Sequence, residues 1–373
     1  MMRIFHDIYK LISIQSLPLK WRRVVFYSEG KTYWSYLNGI IFELLQIEDA
    51  PYITYITSGA DDPGLALNHP RFRAFLLESD WARNWFFVNI DTAVMATTTP
   101  DLGLLPFRRS QRDVHYVYLP HSLVSLHMAY RAGAFDQFDT LFCAGPHHFE
   151  EARALEQLRG SKSKTLVPHG YDRIDVMMDD LRGSSAIPGC VLIAPSWGKH
   201  GLVETMGVGL VKILLDAGFQ VILRPHPQTA RLNSDKIDAI ESQFGAHERF
   251  RWDFEVGEWR SLAEADLMIS DWSGVALEYA AVRRRPVLFI NTPKKINNSE
   301  FELVKLPPVE LLQRERLGLV LQPEDLGSLP SVVRDLLKAP DLSVDIIDLL
   351  LVNQGNAAKH GARYLTALAK SIS

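Results

Sequence analysis

At 373 residues, with 47% hydrophobic and 23% charged side chains, the chain is ordinary globular sequence too long for one core, so two α/β domains are expected. Its formal net charge of -4 excludes non-specific nucleic-acid binding as a main role. Its two cysteines, Cys143 and Cys190, lie in apolar runs, which excludes a disulfide framework and fits a reducing compartment.

The N-terminal stretch to Arg23 interleaves apolar Ile4, Phe5, Ile8, Leu11 and Ile12 with basic Arg3, Lys10, Lys20, Arg22 and Arg23. This pattern predicts a helix packed on its own domain, with a peripheral membrane contact as the alternative. It lacks a small-residue cleavage site after an apolar core, and no apolar run approaches the ~20 residues of a membrane span. The expected location is the cytoplasm, with a peripheral seat on the inner face of the cell membrane as an option.

From residue 23 short apolar runs alternate with helical spacing. Strands are expected at 24–27, 52–57, 85–89, 93–97, 114–119, 140–144 and 165–167, and helices at 34–46, 123–132 and 149–158. Such alternation implies parallel pairing through right-handed crossovers, hence one doubly wound domain. The polar, turn-rich stretch 177–189 reads as a linker. The pattern then repeats, with strands at 191–194, 220–223, 250–253, 267–269, 286–290 and 318–321 and helices at 202–217, 236–244, 275–283 and 329–337. A helical tail follows from 344. The expected division is 1–182, an acceptor-side domain; 188–340, a donor nucleotide-binding domain; and 341–373, a tail packing back on the junction.

Three turns in the second half carry polar signatures: Ala194-Pro195-Ser196-Trp197-Gly198-Lys199, Arg224-Pro225-His226-Pro227 and Ser270-Asp271-Trp272-Ser273-Gly274. In an open parallel sheet such turns gather at the carboxyl edge, where ligands bind. Ser273 and Gly274 open the helix 275–283, which brings a hydroxyl, an unhindered backbone and unpaired amides to one spot, an anion site. Arg224 and His226 put a permanent cation and a titratable ring in one proline-held loop, as a phosphate would require. For Asp271, bracing its own turn is favoured over direct chemistry. Lys199 follows the Ser196 turn and is placed at the donor; His169 is placed at the domain crossover, lining the cleft. No histidine spacing matches a metal site, so no metal is expected.

Together these residues resemble the CDP-glycerol glycerophosphotransferase family, known for teichoic-acid and capsule polymers. The matching pieces are Arg224–Pro227, Ser270–Ala280 with Glu278 before Tyr279, and Arg284–Ile290. Ala194-Pro195-Ser196-Trp197 is similar to the family's Ala-Pro-Thr-Trp turn, and 170–175 to its Gly-Tyr-Pro-Arg-x-Asp. Pro120-His121-Ser122 stands where the family has Trp-His-Gly-Thr. The chain departs from the pattern at Gly274, usually a second Ser, at Glu278, usually Asp, and at Pro120, Ser122 and Leu123.

The resemblance implies two doubly wound Rossmann-like domains facing a cleft, of the GT-B type, with C-terminal helices. An acceptor hydroxyl would attack the β-phosphorus of a CDP-alcohol and release CMP. His121 would be the general base and His226 its catalytic counterpart, with Arg224, Ser273, Gly274, Ser196, Lys199 and Asp271 on the donor and His169 and Glu278 in the cleft. No cofactor is implied; the partners are a nucleotide-linked donor and a lipid-linked or polysaccharide acceptor, not nucleic acid. The alternative on the same fold is a glycosyltransferase using a nucleotide sugar.

Overall fold

A computed structural model describes residues 2–255 and 257–372. Seven strands form the first sheet: β1 (Val24–Ser28), β2 (Ile53–Thr57), β3 (Phe72–Leu76), β4 (Val94–Thr97), β5 (His115–Tyr118), β6 (Thr140–Cys143) and β7 (Thr165–Pro168). Six form the second: β8 (Cys190–Ile193), β9 (Gln220–Leu223), β10 (Phe250–Trp252), β11 (Leu267–Ser270), β12 (Val287–Ile290) and β13 (Gly318–Leu321). Every named pairing is parallel, in the orders β3-β2-β1-β4-β5-β6-β7 and β10-β9-β8-β11-β12-β13. The apolar runs dictate this: the residues of β1, β2, β4, β6, β8, β11 and β12 are all buried, as strands covered on both faces must be. Each sheet reverses direction of growth once, between β1 and β4 and between β8 and β11, and each reversal opens a crevice at the carboxyl edge.

Three local expectations are corrected. Residues 85–89 are not a strand but the end of the helix Asp80–Asn89, and the strand belongs to Phe72–Leu76. The aromatic run Trp85-Phe86-Phe87 reads as β by composition. What decides is the spacing of Ala82 and Phe86, which with Phe87 bury one helical face while Trp85 stays at the surface. The helix expected at 123–132 shrinks to Leu126–Ala129, and that at 34–46 divides into Lys31–Trp34 and Asn38–Gln46.

The helix Met2–Gln15 lies against Asp80–Asn89 and β3. It buries Leu11 and Ile14 and leaves Tyr9 and Ile12 at 70% and 60% exposure. The C-terminal helix Ala357–Ser371 crosses back to pack on Asn38–Gln46, placing Ala362, Leu365 and Ala369 in the core of the first sheet.

The two sheets are locked by a buried polar seam. Arg173, from the helix Asp172–Asp180, has Nε 3.5 Å from Glu278 on the helix Gly274–Arg283 and donates to Ser35 Oγ at 2.7 Å. Tyr171 donates to Glu278 Oε1 at 2.9 Å, and Tyr36 lies under the Arg173 guanidinium. A charge pair this deep is tolerated because both partners have further hydrogen bonds or a ring face.

Candidate active site

The wall contributed by the second sheet is assembled from four turns. Asp271, buried after β11, accepts from the amides of Ser196 and Trp272 through Oδ1, both at 2.6 Å, and from Leu202 through Oδ2 at 3.3 Å. Burial raises its pKa and the three amides oppose the rise. Asp271 therefore staples the turn after β11 to the turn after β8 across the crevice. It does not line the cleft, so its place among donor contacts is corrected to bracing.

His226 caps the helix Pro227–Leu232, its Nδ1 accepting from the Gln228 amide at 3.1 Å. That bond fixes the tautomer: the proton is on Nε2. Burial, aided by the charge of Lys295, lowers its pKa to about 4, so the ring is a neutral N–H donor at physiological pH. Lys295 stands 4.3 Å over the Trp197 ring, and burial lowers its pKa to about 8. Ser273 is the N-cap of the helix Gly274–Arg283 with no side-chain cap bond, so among the described residues its hydroxyl is uncommitted beside the first amides of that helix, which by construction lack intrahelical partners.

Arg224 lines the same space, but its guanidinium is turned to the chain beyond β10. It donates to Glu258 O at 2.8 Å, Glu255 O at 3.1 Å and Ser261 Oγ at 3.3 Å, and Asp253 lies at 3.5 Å. Its observed work is to hold that segment at the cleft mouth.

The wall contributed by the first sheet is the turn after β5. His121 Nδ1 lies 3.1 Å from Tyr118 Oη, and Tyr118 donates to Tyr130 Oη at 3.3 Å. Assigning the Tyr118 proton to Tyr130 makes its oxygen the acceptor of Nδ1–H and puts the lone pair of His121 on Nε2. The ring sits in an aromatic cage, 5.6 Å from Tyr130, 6.1 Å from Tyr33 and Tyr36 and 6.2 Å from Tyr118 between centroids. Burial lowers its pKa to about 4. The backbone behind it is pinned by His147 Nε2 donating to Leu123 O at 2.9 Å and His148 Nε2 donating to Val124 O at 3.1 Å.

Both walls face one cavity of about 420 Å³. It brings together His121, Ser196, Arg224, His226, Ser273, Gly274 and Glu278 from the sequence reading. It does not include Lys199, which is exposed beyond the Ser196 turn. Nor does it include His169, fully buried beneath the C-terminal helix, where a Cβ on Gly361 would lie 2.9 Å from its ring. The tail closes that strand end, and burial takes the ring's pKa down to about 3.

Among the cavity residues that went unread in the sequence, three carry polar chemistry against the two walls. Lys295 stands two residues after the Thr292-Pro293 that follows β12, and the Lys294-Lys295 pair was the available signal. Tyr130 gave none. Glu310, 4% exposed, accepts from the Ser125 amide at 3.0 Å through Oε1, while Oε2 has no partner among the described residues. Burial and the neighbouring Glu151 raise its pKa to about 7.

Chemically, the cavity sets a lone pair on one side against N–H groups, a hydroxyl and an ammonium on the other. That combination can take a proton from a nucleophile while neutralising an anionic leaving group.

No protein-family model matches the chain, and no curated protein matches it. Solved structures share its fold. The wall teichoic acid polymerase TagF is 14% identical over 99% of this chain and 97% of that chain, with a TM-score of 0.59. The UDP-GlcNAc 2-epimerase of Methanocaldococcus jannaschii, in complex with UDP-GlcNAc and UDP, is 12% identical over 93% of this chain and 99% of that chain, with a TM-score of 0.54. The architecture is thus the GT-B fold, two parallel-sheet α/β domains about a cleft. Among the described residues no helix is long and apolar enough to cross a membrane.

Proposed function

We propose that this protein is a transferase that moves glycerol phosphate, or a related polyol phosphate, from a CDP-linked donor to a cell-envelope or capsule polymer, releasing CMP. The observation that carries the reading is the opposition of the His121 lone pair to the His226 N–H, Lys295 and the amide end of the helix Gly274–Arg283 within one cavity. A diphosphate fits the second wall, since phosphoryl transfer is achieved mainly by positioning and by charge stabilisation. The acceptor oxygen bonds to the β-phosphorus as its proton passes to His121 Nε2. The bond from that phosphorus to the bridging oxygen breaks, and CMP leaves with the electron pair, its new charge met by His226 Nε2–H and Lys295.

A peripheral seat on the inner face of the cell membrane belongs to this reading, supported by exposed Tyr9 and Ile12 beside Lys10. The fold also serves UDP-sugar chemistry in a solved neighbour, so a glycosyltransferase is the competing assignment. The deciding experiment is a thermal-unfolding screen of CDP-alcohols and nucleotide sugars, followed by product analysis. Protection by CDP-glycerol or CDP-ribitol with CMP release is expected. UDP release from a UDP-sugar assigns glycosyl transfer instead, and protection by no nucleotide overturns the donor site.

A further inference from the structure

The cavity does not end at His121. A second hollow of about 410 Å³ adjoins it, with Thr32, Phe254 and Glu255 lining both, and a third of about 590 Å³ adjoins the second, with Glu29 lining both. The second and third lie side by side along the carboxyl edge of the first sheet, beside the ends of β1, β2 and β4, and together make a groove that borders the cavity. It meets the cavity beside Tyr33, whose ring is 6.1 Å from that of His121.

The floor of this groove is built on a buried hydrogen-bond cluster. Asp62, buried beneath it, accepts from the hydroxyls of Ser28 and Tyr55 at 2.9 Å and Thr57 at 2.6 Å, and from the Gly64 amide at 2.8 Å. These bonds tie the ends of β1 and β2 into one rigid ledge. On the ledge Gly30 (φ 141°) and Gly59 meet back to back; a Cβ on Gly59 would lie 2.7 Å from Gly30 Cα.

The walls state the chemistry. Glu29, Asp61, Asp80 and Glu255 outnumber Lys31 and Arg83, and Arg83 is paired with Asp80. Trp81 and Phe254 are 40% and 50% exposed at the two ends of the groove. On the wall of the third hollow, Asn84 Oδ1 is buried with no partner among the described residues. Carboxylates accept hydroxyl protons and repel phosphates, while exposed aromatic faces stack on the apolar faces of sugar rings.

We infer that this groove is the acceptor subsite and that it takes a neutral, hydroxyl-rich oligosaccharide rather than a chain of polyol phosphates. The inference rests on the reading of the cavity as a donor site, because it needs His121 to meet the acceptor's terminal hydroxyl. It has a consequence for the reaction: a product carrying a new phosphodiester is repelled by the same walls, so one group is added per acceptor and the chain is not extended.

The test measures binding of two probe sets to the full-length protein by saturation-transfer NMR: neutral di- to tetrasaccharides of hexoses and N-acetylhexosamines, and glycerol phosphate oligomers of equal length. Neutral saccharide should bind. Trp81→Ala should weaken it by about tenfold, the worth of one aromatic contact, and Trp81→Phe should restore most of it. The double variant Glu29→Lys/Asp61→Lys should exchange preference toward the phosphate oligomer. Tighter binding of the phosphate oligomer to the wild type, or no saccharide signal that depends on Trp81, overturns the inference. Protection by CDP-glycerol, measured on the same variants, separates the two readings and reports folding. Its retention with saccharide binding absent sinks the groove alone, and its absence in the wild type sinks the donor site.

Discussion

The two walls of the cleft carry one histidine each, both neutral through burial and both with pKa lowered to about 4, yet they are equipped for opposite tasks. The difference lies in the atom that each Nδ1 meets. In His226 it accepts from a backbone amide, which leaves Nε2–H to donate; in His121 it meets a tyrosine hydroxyl whose own proton is assigned to Tyr130, which leaves Nε2 to accept. Role here follows from the second bond of the ring, not from its pKa.

The sharpest way to break this comparison is to remove each ring. His121→Ala should lower CMP release by about a thousandfold, within the range for loss of a general base, while protection by the donor persists. Loss of donor protection in that variant would move His121 to the donor wall. Since the ring titrates near pH 4, kcat/KM should show no acid limb near 6.5. His226→Ala should cost about a hundredfold in kcat, as for a lost oxyanion donor, and His226→Gln, which can present an amide N–H, should recover much of it. Equal failure of Ala and Gln would point to proton transfer by His226 instead.

The second wall was the more legible of the two, for a physical reason. Its polar groups sit in short proline- and glycine-marked turns directly after apolar strands, so Ser196, His226 and Ser273 could be placed by local pattern alone. Where each points is decided by partners far along the chain. Arg224 is drawn away by carbonyls at 255 and 258, and Asp271 by amides at 196 and 202. His169 looked open because nothing near it in sequence announces the helix that covers it. Glu310 and Tyr130 reach the cavity from elements with no polar signature. The two sheets followed from alternation of apolar runs and helices, and the one misplaced strand is where aromatic composition and helical spacing disagreed.

Lys295 extends the donor wall beyond what its turns supply, and it gives that wall a pH signature. It is charged below its pKa of about 8 and loses its charge as pH rises through that value, so donor affinity should fall on the alkaline side. Lys295→Met should raise the donor KM by about tenfold near pH 7, the scale of one charge-assisted hydrogen bond, with a smaller change in kcat. It should also abolish the alkaline limb. A limb that survives belongs to another group and would remove Lys295 from the diphosphate.

The walls also touch at the start of the helix Gly274–Arg283, and there two departures from the resembled family coincide. That family has Gly after its histidine and Ser at the helix start; this chain has Ser122 and Gly274. A Cβ on Gly274 would lie 2.6 Å from Ser122 Oγ and 2.9 Å from Val124 Cγ1. The side chain has therefore changed sides across a contact with room for one. Gly274→Ser alone should overpack the seam, costing about 1–3 kcal/mol by denaturant unfolding and a few-fold in activity as the walls are pushed apart. Ser122→Gly alone should be mild. The double variant should recover most of the loss, giving a coupling energy well outside the additivity expected of independent sites. Additive costs would mean that the two positions do not share that space in solution, and that the separation of the two histidines is set by other contacts between the walls, such as Arg173–Glu278 and Ser125–Glu310.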